Sequence, residues 1–335
     1  MNYLFRFFTL FFLSVFLLSA CNNKQNKSVK VGLLIHSFEN ERWEKDRDYF
    51  IEKIQELGGN VKVETADDDA TKQLAQAKEL LANGVDVLVV VPVDQFAAAE
   101  IVKEAHARNV KVISYDRLIK NCNLDYYVST DNVEIGELQA NYLTRIKPVG
   151  KYALIGGAKT DNNSMFLYLG QMNELAPLVE KGDIKIVYNE FTNHWGEDEG
   201  YEHAKKMLKL VGDVDAIIAG NDAIALGAIK ALAESNLEHK VLIAGMDADL
   251  ENLQEIVAGH QTCTIYKPYE KLAATAAELA MKLGRGEKCE RTFQTISNGE
   301  VLVPSVFHKG VIVNRENLKL TVVSEGYQKE EEIYK

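Results

Sequence analysis

Short β-branched runs along this chain are repeatedly followed by side chains that can bind. Arg42 and Trp43 follow VKVGLLI (29–35), and Tyr115-Asp116-Arg117 follow VKVIS (110–114). Asp161-Asn162-Asn163 come after YALIGG (152–157), and Trp195 comes after IKIVYNE (184–190). Asn221-Asp222 follow VDAIIAG (214–220), Asp247 and Asp249 follow VLIAGM (241–246), and Lys267 follows TCTIY (262–266). Carboxylates accept hydrogen bonds from hydroxyls, Arg and Lys donate them, and Asn does both. An indole covers an apolar C–H face and keeps water out. The set therefore suits an uncharged polyol. An Asp or Asn at such a position also serves as an ordinary helix N-cap. It is the recurrence at successive strand ends that singles these residues out.

Those ends matter because of the elements that carry them. Further apolar runs lie at VKVET (61–65), VDVLVVV (85–91) and YYVST (126–130), with amphipathic helical patterns such as TKQLAQAKELLAN between many of the runs. Leu74, Ala77, Leu80 and Leu81 share one helical face. Alternating strand and helix predicts a parallel sheet covered on both faces, and in such sheets ligands sit beyond the carboxyl ends of the strands. There are too many strands for one ordinary open sheet. Two doubly wound α/β lobes are expected, with a boundary near Ser129-Thr130-Asp131; an eightfold (β/α) barrel is the other arrangement the pattern allows. The tail beyond Thr292 is less regular, and Lys329–Lys335 reads as a loose charged end.

The chain has 335 residues with 38 basic and 49 acidic side chains, a formal charge of −11. That balance, with no basic run, argues against a nucleic-acid partner. Residues 1–20 read as a signal peptide: Arg6, an apolar stretch from Phe7 to Leu18, then small residues. Leu18-Ser19-Ala20-Cys21 resembles a bacterial lipobox, which implies lipidation at Cys21, a tether over 21–28 and a periplasmic or surface location on a membrane. Cys122, Cys263 and Cys289 show no zinc spacing, and the sequence does not reveal whether any two form a disulfide. GGAKT (156–160) has Ala158 where a phosphate loop needs Gly. Asp67-Asp68-Asp69 lacks the spacing of a calcium loop and precedes a helix, so it reads as a cap. No cofactor or metal is expected. Asp116 and Asp247 could pair for glycoside hydrolysis only if one were a raised acid, which nothing in the sequence marks, so the chain is not read as an enzyme.

The mature length resembles the periplasmic sugar-binding proteins of type I fold that serve ABC importers. The segments responsible are ERWEKDRD (41–48), GVDVLVVVP (84–92), YDR (115–117), STDNVEIGELQA (129–140), GGAKTDNN (156–163), NDAIALGAI (221–229), GMDADL (245–250) and TIYKP (264–268). Within that family, ERW-x-KDRD, YDR and DNN together resemble the D-xylose-binding branch. HSFEN (36–40) departs from the acidic residues of that branch, a difference that bears on the sugar rather than the class. The resemblance implies sugar contacts at Arg42, Trp43, Asp116, Arg117, Asn163, Trp195, Asn221, Asp247 and Lys267.

It also implies an architecture and partners. Two lobes are joined by three crossings, near 130–132, 266–268 and 302–305. The first lobe would take 29–130 plus about 267–303, and the second 131–266 plus about 304–335. A monosaccharide touching both lobes would hold them closed. The closed form, expected to be monomeric, would be read by an ABC permease or a membrane sensor kinase.

Overall fold

Valine and isoleucine dominate the strands because most strands are buried on both faces. The computed structural model describes residues 28–40, 42–237, 239–289 and 294–335, so the signal peptide and Cys21 lie outside the described residues. Its first sheet contains β1 (Lys30–Ile35), β2 (Asn60–Thr65), β3 (Val87–Val90), β4 (Lys111–Tyr115) and β5 (Tyr126–Thr130), joined at its edge by β11 (Gln294–Ser297) and β12 (Leu302–His308). The order is β11-β12-β5-β4-β3-β1-β2, parallel except for the β11–β12 pair. In β3, Val87 and Val89 pack on one face while Leu88 and Val90 pack on the other. Helices α1 (Arg42–Glu56) and α9 (Tyr269–Gly284) cover the first face, and α2 (Ala70–Ala82) and α3 (Ala99–His106) cover the second.

The second sheet repeats this winding. β6 (Gly150–Gly156), β7 (Ile184–Phe191), β8 (Ala216–Ala219) and β9 (Leu242–Ala244) lie in the order β7-β6-β8-β9, all parallel. A bridge from Ala244 to Cys263 continues it to β10 (Thr264–Tyr266), which pairs antiparallel with β13 (Val311–Val313). Helices α4 (Asn132–Ile146), α5 (Asn162–Lys181), α6 (Glu197–Val211), α7 (Asp222–Ala233) and α8 (Leu250–Ala258) surround it. Both halves thus carry the strand order 2-1-3-4-5, whose ligand crevice lies at the carboxyl ends beside the first strand. These are the two doubly wound sheets expected, not a barrel.

The tail is more ordered than its sequence indicates. The third crossing, expected near 302–305, lies instead beyond His308, because β12 pairs in parallel with β5 up to the His308–Thr130 register. The backbone N–H of Asp131, at the first crossing, donates to the carbonyl of His308, tying two crossings together. Residues 304–308, assigned to the second lobe by sequence, therefore belong to the first sheet. Nor is the C-terminus loose: α10 (Glu330–Ile333) buries Ile333 among Leu318, Val322 and Tyr327, and Gln254 donates to the Glu332 carbonyl. Cys122, Cys263 and Cys289 are unpaired thiols.

Candidate functional site

The nine side chains selected from the sequence line one cavity. Arg42, Trp43, Asp116, Arg117, Asn163, Trp195, Asn221, Asp247 and Lys267 surround about 290 Å³ of free space, its mouth included, between the two sheets. Each arrives from the carboxyl end of a strand. Arg42 and Trp43 open α1 beyond β1, and Asp116 and Arg117 leave β4. Asn163 lies in the first turn of α5, Asn221 caps α7 by accepting from Ile224 N–H, and Asp247 leaves β9. Lys267 occupies the second crossing. Asn221 shows that the capping and cavity-lining readings are compatible: its Oδ1 caps while its Nδ2 donates to the Trp195 carbonyl at 3.2 Å.

Charge pairs fill the floor of this cavity. Nη2 of Arg42 donates to Oδ2 of Asp116 and to Oδ2 of Asp46, each at 2.9 Å. Nη1 of Arg42 lies 3.6 Å from Oδ1 of Asp247, so this guanidinium reaches from the first lobe to the second. Lys267 Nζ stands 3.3 Å from Asp247 and 3.9 Å from Asp116. Asn163 Nδ2 donates to Asp116 Oδ1 at 3.1 Å, another bridge between lobes. Three carboxylates thus face two cations, and the imbalance is divided unequally. Burial alone would raise the Asp116 carboxyl, but Arg42 and Lys267 override it and hold it well below the usual carboxylate range. Asp46 is farther from Lys267, and its burial outweighs Arg42 and the Tyr115 hydroxyl, pushing it up to about 6.

The side wall is built around Arg117. Its Nη2 meets Nε2 of His36 at 3.1 Å, and Nδ1 of that ring lies 2.7 Å from Asp68. A guanidinium only donates, so Nε2 must be an acceptor and Nδ1 must carry the hydrogen donated to Asp68. Burial, then the charge of Arg117, accordingly lowers His36 to about 4. Nε of Arg117 is 2.8 Å from Oδ2 of Asp161, an ion pair across the lobes whose N–H is not aligned as a hydrogen bond.

Aromatic surface completes the site. Arg42 stacks 4.0 Å from the Trp43 ring and 4.5 Å from that of Tyr269, a buried cation held between two π faces. Trp195 lies over Gly157, where an added Cβ would come within 2.1 Å of the indole. Its Nε1–H is buried with no hydrogen-bond partner among the described residues.

Sequence reasoning passed over several contributors. Asn40, Asp161 and Met246 also line the cavity. Asp161 opens the Asp161-Asn162-Asn163 segment, Met246 immediately precedes Asp247, and Asn40 falls in the divergent HSFEN segment, so all three had a local signal. Asp46, Tyr115 and Tyr269 stand behind the wall. The Tyr115 hydroxyl donates to Asp46, and that of Tyr269 donates to Asp247 at 2.8 Å. Asp46 lies one turn from Arg42 on α1, a spacing that could have identified it.

Two sheets of like winding that meet across a polar cleft define a class of protein. The profile of the periplasmic binding protein domain matches residues 31–288, and the chain belongs to that family, with its type I fold. Among its relatives, the D-xylose-binding periplasmic protein of Haemophilus influenzae is 40% identical over 93% of this chain and 94% of its own. The D-xylose-binding periplasmic protein of Escherichia coli is 41% identical, covering 92% of this chain and 93% of its own. A solved carbohydrate transporter solute-binding protein from Chloroflexus aurantiacus, in complex with D-glucose, is 27% identical with a TM-score of 0.85, covering 92% of this chain and 98% of that one.

Proposed function

We propose that this protein is an exported receptor that encloses one monosaccharide, D-xylose, between its lobes and delivers it to an ABC importer. In this reading it is anchored to a membrane by lipid on Cys21. The observation that carries the proposal is the convergence of the nine positions on one cleft cavity in a chain about two-fifths identical to D-xylose-binding proteins. Sugar hydroxyls find acceptors in Asp116 and Asp247 and donors in Arg42, Asn163 and Lys267, while Trp43 and Trp195 supply apolar faces. Contacts to both lobes make closure depend on the ligand's differential affinity for the closed form.

Binding rather than catalysis is supported by the state of the acids. Asp116, set between Arg42 and Lys267 and held well below the usual carboxylate range, suits a fixed acceptor better than a proton donor. Asp46, the acid that burial pushes up, stands behind the wall rather than in the cavity lining. Isothermal titration calorimetry on the chain lacking residues 1–21 tests the proposal, with D-xylose, D-ribose, L-arabinose, D-glucose and D-galactose. One-to-one binding that is tightest for D-xylose is expected. Saturation by a different sugar only would overturn the ligand assignment, and no heat with any of them would overturn sugar binding.

A further inference from the structure

A second chamber adjoins the first and is larger: with its mouth included it holds about 770 Å³, against 290 Å³ for the inner cavity. It too lies between the lobes, and it shares Asn40, Arg117 and Trp195 with the nine-residue cavity. One monosaccharide enclosed by the inner cavity leaves this outer space unused.

Its lining is chemically selective. Glu39, Asp68 and Asp94 come from the first lobe, and Thr160, Asn193 and His194 from the second. The nearby cations do not offset the acids, and His194, which can also carry positive charge, is already matched by Asp198 at 2.9 Å and Glu199 at 3.3 Å. Arg117 already faces Asp161 at 2.8 Å, and His36 is the uncharged acceptor of an Arg117 N–H. A uronic acid or phosphorylated sugar would meet net negative charge here. A ring bearing only hydroxyls would meet carboxylate acceptors and amide and hydroxyl partners. Trp195 stands at the junction, 8% exposed, with a buried Nε1–H that lacks a partner among the described residues. Its side chain lines both chambers, apolar ring surface against which a sugar C–H face can pack.

We propose that the outer chamber is a subsite for a second, uncharged glycosyl unit. The protein then accepts a neutral disaccharide, one ring in the nine-residue cavity and the next beyond Trp195. This rests on the sugar-binding reading and names a wider ligand class for the same cleft.

Calorimetry with D-xylose and with xylobiose, its β-1,4-linked dimer, provides the test. Ala70, the first residue of α2, lines only the outer chamber of the two, so Ala70→Phe places a ring there without touching the nine positions. The wild type should bind both sugars one to one. Ala70→Phe should leave xylose within about twofold and weaken xylobiose at least about tenfold. His194→Ala, which adds no bulk, should show the same direction and serves if Ala70→Phe does not fold. Xylose binding without xylobiose binding in the wild type overturns the outer subsite and leaves the monosaccharide reading standing. Equal effects of the variants on both sugars also overturn it. Failure to bind either sugar overturns the sugar-binding reading itself.

Discussion

Asp116 and Asp247 are counterparts in the two lobes: each follows the fourth strand of its sheet, and each has a positive backbone φ, 61° and 110° respectively. Each backbone N–H reaches the neighbouring fifth strand, Asp116 to Val128 and Asp247 to Ile265. Both carboxylates converge on Arg42 and Lys267. A positive φ in a residue with a Cβ is strained and is tolerated best by Asn and Asp. That strain persists where surrounding contacts impose it, here at a pair of acceptors the fold presents from opposite sides.

Asp247→Asn separates charge from backbone, because Asn tolerates the same φ. It removes the carboxylate facing Lys267 and Arg42 while keeping the volume. Breaking one partner of a buried charged network costs about 2–5 kcal/mol. The affinity for D-xylose measured by calorimetry should therefore fall on the order of a hundredfold. Asp247→Ala should lose more, since Ala adds strain at this φ. Wild-type affinity in both variants would remove Asp247 from the binding set.

Fluorescence gives a second measurement. The chain has two tryptophans, and both line the cavity. Trp43 stacks under Arg42, and Trp195 carries the unpartnered N–H. Tryptophan emission should shift in a saturable way during titration with the bound sugar, with the midpoint equal to the calorimetric Kd. Trp195→Phe keeps a ring but loses the donor, so it should weaken binding less than Trp195→Ala. Equal losses in the two variants would show that the ring face contributes nothing, whereas wild-type affinity in Trp195→Phe would show that the N–H contributes nothing.

Strand-end residues were legible because the sheet's winding decides which positions face the crevice and local pattern reveals the winding, while the family resemblance narrowed them to nine. The wall behind them was not. Asp46 looks like any helical acid until α1 packs it against Tyr115, and Tyr269 becomes a π face for Arg42 only when α9 returns to the first lobe. The edge strands were hidden by their own chemistry. β12 contains Pro304, which lacks a ladder N–H, and β11 reads QTIS with three of its four residues exposed. The shifted third crossing follows from missing β12. Pairing across 178 residues of sequence, as between Ser305 and Tyr127, leaves no local trace.

Acid should expose the state of His36. Its ordinary value of 6.5 is lowered to about 4 in the folded protein. As the pH falls below 6.5 the unfolded chain takes up a proton that the folded chain refuses, so stability falls with pH down to about 4. The loss is on the order of 3 kcal/mol at about 1.4 kcal/mol per unit. Gln in its place can still donate to Asp68 and accept from Arg117 but does not titrate. His36→Gln should therefore lose less stability than the wild type between pH 6.5 and 4, measured by denaturant unfolding. Parallel pH profiles would mean that His36 is not held neutral.

Gly157 tests whether the indole's position, rather than its mere presence, matters. The residue follows β6, and a methyl group there would lie 2.1–2.3 Å from three ring atoms of Trp195, well inside van der Waals contact. The indole is at the cleft wall, so it can yield by moving toward the cavity. Gly157→Ala should therefore displace Trp195 into the space meant for ligand. Affinity for D-xylose should fall at least about tenfold, equivalent to about 1.4 kcal/mol, while the overpacking costs about 1–3 kcal/mol of stability. The double variant Gly157→Ala/Trp195→Phe supplies the control, because the smaller ring relieves the clash. It should recover thermal stability and bind more tightly than Gly157→Ala alone. If Gly157→Ala binds normally, the ring at Trp195 is not fixed by its packing on β6.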